Sequence, residues 1–257
     1  LAIDSIAKSS AIFRDDKLLN LALQAFNFIK TSMYDGKTLY HSHCNSINKH
    51  DGMLEDYAYL IKAGITIFEI TTDEQYLKFS LELTETLIEN FGDEEGMFFI
   101  TSKMKDDVII RNKQIVDNVM PNANAVMIEN LTKLDFITGE RKYNQLNTKI
   151  IQDYSSRINK EYFGICSFLN SLDFFNNYQS IIITGINKDD NKKIYDQLIK
   201  KYLPNTIILM INEKTNIISK NNFLNQIEIK SESSIYLCKN NTCSLPSNSV
   251  EEILKII

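Results

Sequence analysis

Proline and glycine are scarce in this chain. Its 257 residues include 3 Pro and 8 Gly, which argues against a turn-rich all-β fold and suits helices. Cysteine is scarce too. Four cysteines are too few for a disulfide-dense secreted scaffold, and a cytoplasmic location is the expectation. No apolar run reaches the length of a membrane span, and no cationic stretch followed by an apolar one opens the chain. Positive charge is not in excess. A net charge of −5 disfavours a broad nucleic-acid footprint. Gly-x-Gly-x-x-Gly and the P-loop are both missing, and Gly185 stands alone after Ile181–Thr184, so nucleotide binding carries little weight. What is present, 44% hydrophobic and 24% charged residues, is an ordinary globular composition. Ile, Asn and Lys are abundant, so a single Asn or Lys is a weak functional signal.

The first two-thirds read as paired helices. Residues 1–13 and 16–34 meet at Arg14-Asp15-Asp16, residues 55–71 and 73–91 at Thr71-Thr72-Asp73, and residues 121–138 and 140–156 at Thr138-Gly139-Glu140. Each aspartate at a joint can cap the helix that follows. A further helix is expected over about 158–176. The joints resemble one another: Phe68-Glu69-Ile70-Thr71-Thr72-Asp73 sets beside Phe136-Ile137-Thr138-Gly139-Glu140, with Ile12–Lys17 as a weaker copy. A degenerate repeat of this kind predicts an αα array over residues 1–176. Its long connections, 35–54 and 92–120, fall on one rim, where sites usually sit. The aromatics Phe26, Tyr57, Phe68, Tyr76 and Phe79 fall on helix faces and read as core. The opening at Leu1 lies inside an amphipathic pattern with no capping residue ahead of it, which reads as a cut through something longer.

Residues 177–257 change period. Ile181–Thr184 and Thr206–Ile211 are buried-type strands around an amphipathic helix at about 188–202 that Pro204 ends. This predicts a parallel βαβ unit. Further strands are expected at Ile227–Ile229 and Ile235–Cys238, and a closing helix at 248–257. The whole is a small α/β element beside the helices.

Four stretches, in order, carry a resemblance. They are Leu1–Lys8, Gly52-Met53-Leu54-Glu55-Asp56-Tyr57-Ala58-Tyr59-Leu60, Asp117-Asn118-Val119-Met120-Pro121-Asn122-Ala123-Asn124-Ala125, and Tyr236-Leu237-Cys238 through Cys243-Ser244-Leu245-Pro246. Together they resemble the C-terminal part of the YyaL-like, spermatogenesis-associated thioredoxin-domain proteins. The resemblance implies a mostly α fold, a partial α/α toroid of the six-hairpin glycosidase type. It also implies an upstream thioredoxin-like domain, whose Cys-rich motif matches nothing in residues 1–257. About three hairpins are readable where the family toroid would have six. Half a toroid cannot close its cavity, and the missing half or a second copy is the expected partner.

The resemblance marks Asp56 as the leading candidate for acid/base work on a sugar, since acidic residues at inner-helix starts do this in six-hairpin hydrolases and epimerases, with Glu55, Tyr57, His41 and His43 as cavity or ligand-binding residues. A helix N-terminus stabilises carboxylates there. The simpler reading is a helix cap with a structural hydrogen bond. Asp117, Asn122 and Asn124 open the next hairpin and would line the same cavity. Asn122 and Ala123 depart from the family's Ser-Gly, and a helix start accounts for them equally well. His41 and His43 share one face of an extended segment, with His50 nearby, a spacing compatible with metal. The family carries Arg-Ser-aromatic there, so a rim loop is the favoured reading, and no metal or cofactor is expected. Cys238 and Cys243, with four residues between them, read as buried small hydrophobes in a reducing compartment; the family keeps both, which implies a redox or structural pairing. The Asn240-Asn241-Thr242 sequon carries no meaning in a cytosolic protein.

Two functions stand. One is carbohydrate binding or processing through Asp56, with a sugar or small molecule as ligand. The other is a non-catalytic scaffold serving a thioredoxin-like domain. An enzyme needs a group opposing Asp56, and the chain shows no convincing partner carboxylate. Neither nucleic acid nor membrane is expected as a partner.

Overall fold

The computed structural model describes residues 1–105, 107–158, 163–213, 215–239 and 242–257. Helices α1 (Ala2–Phe13) and α2 (Asp16–Ser32) are joined by Arg14 in the left-handed region (φ 56°) and by Asp15, which accepts from the Lys17 and Leu18 amides. Helices α3 (Leu54–Thr71) and α4 (Glu74–Phe91) repeat the device with Thr72 (φ 60°) and Asp73, which accepts from the Gln75 amide. Gly139 (φ 73°) ends α5 (Ala123–Thr138) before α6 (Lys142–Arg157). A left-handed residue closes one helix and, in the first two joints, an aspartate opens the next.

Helices α1, α3 and α5 stand side by side, followed by α7 (Cys166–Asn177), while α2, α4 and α6 back them. Flanked on both sides and behind, α3 and α5 are apolar nearly all round. Gly64 lets α4 approach: a Cβ there would lie 2.1 Å from Ser80 Oγ. Between α3 and α5 runs a polar seam. Asn130 donates to the Ala58 carbonyl at 2.9 Å, Lys62 reaches Glu129 at 2.6 Å, and Lys133 reaches Glu69 at 3.0 Å. Burial opposes charge on Lys133, but Glu69 and Glu129 outweigh it and raise its pKa. Burial likewise opposes charge on Glu129, and Lys62 and Lys133 hold that carboxyl below its ordinary range. On the other side of α3, Thr66 donates to Asp4 of α1 at 2.7 Å.

The connection at 35–54 is not a plain loop. Strands β1 (Tyr40–Cys44) and β2 (Ile47–Asp51) form an antiparallel hairpin whose turn residues, Asn45 and Ser46, have φ of 51° and 61°. Helix α7 is shorter than the expected 158–176. A 3₁₀ turn at Phe163–Ile165 precedes it, and residues 159–162 lie outside the described residues.

The last stretch holds β3 (Gln179–Thr184), α8 (Lys188–Leu198), β4 (Thr206–Ile211), α9 (Asn216–Lys220), α10 (Asn222–Asn225), β5 (Ser234–Lys239), β6 (Thr242–Cys243) and α11 (Val250–Ile256). The sheet order is β4-β3-β5-β6, with β3 and β4 parallel and β5 antiparallel to β3. Two expectations need correction. Helix α8 stops at Leu198 and not at 202, one turn earlier than Pro204, which restricts only Leu203, would require. Residues 227–229 form no strand, since β5 takes the place beside β3. The sheet element is tied to the helices by Arg14–Asp196 (3.4 Å) and by Asn221, which donates to the Phe136 carbonyl at 2.7 Å. No helix among the described residues is long and apolar enough to cross a membrane.

Replacing Lys133 by Met would leave Glu69 without its cation inside the seam. Lys133→Met is expected to lower the unfolding free energy by about 3–5 kcal/mol, measured by urea denaturation. A loss below 1 kcal/mol would show that the seam carries no such weight.

Candidate functional site

The N-terminal ends of α3 and α5 meet the β1–β2 hairpin and the 92–120 connection at one rim. Each helix start must satisfy its free amide groups, and most of the polar residues expected to form a site do that work. Asp56 Oδ2 accepts from the Met53 amide and from His41 Nδ1, both at 2.8 Å. Asn122 is the N-cap of α5. Its Oδ1 accepts from the Asn124 and Ala125 amides, and its Nδ2 donates to the Gln114 carbonyl at 3.0 Å. Asn124, fully buried, clamps Phe98 by accepting from its amide (2.7 Å) and donating to its carbonyl (3.0 Å). Asp117 accepts from the Asn122 amide at 2.9 Å, the Ser167 amide at 2.9 Å and the Ser167 hydroxyl, so it stitches the connection to the start of α7.

Tyr57 does not line a cavity. It is 3% exposed, packs on Phe91 and accepts from the Leu39 amide at 3.0 Å. His43 does not join His41 at a shared ligand site: its Nδ1 meets Asn48 Oδ1 at 2.7 Å, and its ring stands edge-on to Phe28. His41 is the exposed member. The hydrogen bond to Asp56, then the carboxylate charge, raise its pKa. The Asp56 contact puts the proton on Nδ1 and leaves Nε2 free.

Glu55 differs from the rest. It has no hydrogen bond or ion pair among the described residues, and it lines a rim pocket of about 100 Å³ with Gln114, Asn118 and Asn122. Its charge is felt close by. Burial, then Glu55 and Asp117, push the Tyr59 hydroxyl up to about 12, while that hydroxyl donates to the Pro121 carbonyl at 2.5 Å.

Cys238 and Cys243 are joined in a disulfide between β5 and β6, which replaces the reading of two buried free thiols. Asn240 and Asn241 between them lie outside the described residues. Asp93, Glu95 and Asp153 converge elsewhere, but Lys113 Nζ sits among them at 2.7, 3.0 and 2.9 Å. A cation of the protein thus occupies the place a metal ion would need.

Searched against protein families, the chain matches no family model. Spermatogenesis-associated protein 20 of Homo sapiens is 23% identical over 274 residues, covering 100% of this chain and 35% of that protein. The chain is a relative of the C-terminal part of this protein. The Rattus norvegicus protein is 22% identical over the same share, as is an uncharacterised protein of Caenorhabditis elegans over 98% of this chain and 36% of its own. The chain therefore spans about a third of the length of these relatives. Among solved structures, a family 76 α-mannanase of Bacteroides thetaiotaomicron superposes with a TM-score of 0.55 at 15% identity, over 76% of this chain and 54% of that one. A second family 76 glycoside hydrolase gives 0.53 at 14% identity, over 68% and 42%. The likeness concerns the fold: the helical arc is a partial α/α toroid of the six-hairpin glycosidase type.

Sequence reasoning missed a second polar region. Glu69, Glu129 and Lys133 line a cavity of about 570 Å³ between the inner helices and α8, near the opposite end of α3. The signal was a set of charges embedded in helices that are apolar on every side.

His41 is expected to titrate above its ordinary value near 6.5. Its stabilising contact with Asp56 is fully present below pH 6.5 and is lost as pH rises through the raised value. For a pair this exposed the change is about 0.5 kcal/mol or less. Asp56→Ala should cost about 1 kcal/mol as a lost cap and return the His41 titration, followed by NMR, to near 6.5. An unmoved titration would refute the pairing.

Proposed function

We propose that the rim at the start of α3 and α5 binds a carbohydrate without hydrolysing it. One observation carries the reading: Glu55 lines the rim pocket with its carboxylate unspent among the described residues, beside the Asn118 side-chain amide, a group that suits hydroxyls. The glycosidase-type fold supports it. Hydrolysis is left out because glycosidases use two carboxylates flanking the scissile bond. The other acids of the rim are engaged: Asp56 by the Met53 amide and His41, and Asp117 by the Asn122 amide and Ser167. Asp56 then serves to hold His41 at the edge of the site, and Glu55 accepts the sugar hydroxyls. The neighbour named an α-mannanase makes α-mannosides the first ligands to try. Calorimetric titration should show weak binding of one of a panel of α-mannosides and other hexosides, with no reducing ends released. Glu55→Gln should weaken it about tenfold, or 1.4 kcal/mol. If the native chain binds none of the panel, the reading fails.

The second reading is a scaffold that works through contact with other chain segments. Val119 and Phe163 favour it, exposed at 96% and 97% on neighbouring turns of the rim beside α7. On this reading light scattering shows concentration-dependent association that Phe163→Ser abolishes. A strictly monomeric native chain counts against self-association.

A further inference from the structure

The cavity at the other end of the inner helices is separate from the rim. Its volume, about 570 Å³, falls in the range of small-molecule sites, roughly 300–1,000 Å³. One wall, on α3 and α5, is polar: Glu69, Glu129 and Lys133. The facing wall, on α7 and α8, offers the buried apolar side chains Phe174 and Leu198, with Asn170, Ser171 and Asp173 of α7 beside them.

Two groups in this cavity have unused capacity. Tyr195 of α8 is 2% exposed and lines the cavity, yet its hydroxyl has no hydrogen-bond partner among the described residues. Buried tyrosine hydroxyls ordinarily find a partner. Burial keeps this one protonated, so it can donate. Across from it, Glu69 lines the cavity; its Oε1 is sealed off beside Lys133 Nζ at 3.0 Å, while Oε2 accepts from Lys133 at 3.1 Å and keeps a second lone pair.

The charges of the wall are already answered within the chain. Lys133 meets Glu69 at 3.0 Å, Glu129 meets Lys62 at 2.6 Å, and Lys8 meets Asp4 at 3.1 Å. A charged head group against that wall would lose its hydration and find no unspent counter-charge there, while Lys201 and Asp173, which also line the cavity, are exposed and solvated. An uncharged head group could instead accept from Tyr195 and donate to Glu69, with an apolar body against Phe174 and Leu198. Tyr202, 91% exposed, stands at the mouth.

We propose that this cavity is a second binding site, independent of the rim, for a small uncharged molecule with a hydroxyl or amide group at one end and an apolar body.

The test uses benzyl alcohol as probe, with benzoate and benzylammonium as charged counterparts, followed by methyl NMR of the full chain. Benzyl alcohol should shift the Ile70, Leu198 and Ile208 methyl signals, and the charged pair should shift them far less. Tyr195→Phe should weaken binding about tenfold with no fall in melting temperature, since it removes a hydroxyl without a partner. Glu55→Gln should leave binding unchanged. The proposal is overturned if benzyl alcohol moves none of these methyls, if the charged probes bind as well, if Tyr195→Phe binds like the native chain, or if Glu55→Gln abolishes the shifts.

Discussion

Lys62 and Glu69 of α3, and Glu129 and Lys133 of α5, lie in a seam where neither helix keeps a fully solvated side. A buried ion pair gains little over an apolar contact of similar volume, but a lone buried charge costs several kcal/mol. The seam therefore discriminates against misaligned arrangements more than it adds stability. Sliding α5 along α3 by one turn would separate Lys133 from Glu69 and Asn130 from the Ala58 carbonyl together. The apolar faces alone would tolerate that slip. Because α1 is tied to α3 through Thr66 and Asp4, and α7 packs on α5, this one register fixes the whole inner row.

Fixing the row places two helix starts side by side at the rim, and both must satisfy free amides. The chain meets that need with Asp56 and Asn122, and anchors its longest connection with Asn124 and Asp117. Side chains held this way have little freedom to move protons. The rim thus keeps the placement of a glycosidase-type fold while most of its polar groups are committed to the backbone. Glu55, one residue from the capping position, escapes that duty.

The hairpins were legible in the sequence because their joints carry local chemistry: Asp15 and Asp73 cap, and Gly139 takes the left-handed conformation. The parallel unit was legible because Ile181–Thr184 and Thr206–Ile211 are apolar on both faces. The β1–β2 hairpin was hidden. Tyr40-His41-Ser42-His43-Cys44 has no clear alternation, and Asn45-Ser46 is a weaker turn signal than Asn-Gly. The duties of Asp56, Asn122 and Asn124 could not be read, because a cap and a sugar contact use the same residue types. Lys133 and Glu69 could not be read either, since isolated charges on a helix look like a solvated face until the neighbouring helices are placed.

The inner helices give their two ends opposite electrostatic character. At the rim the free amides of α3 and α5 favour negative charge, and there the chain leaves Glu55 unpaired. Toward the far end the dipole favours cations, and there Lys8 and Lys133 stand with their carboxylates paired. A carboxylate moved from the rim to the far cavity would lose that support and demand a cation of its own. Each end is therefore suited to a different ligand by the direction of the helices. On the two readings proposed above, the rim would take hydroxyl donors to Glu55, and the cavity molecules that bring no charge.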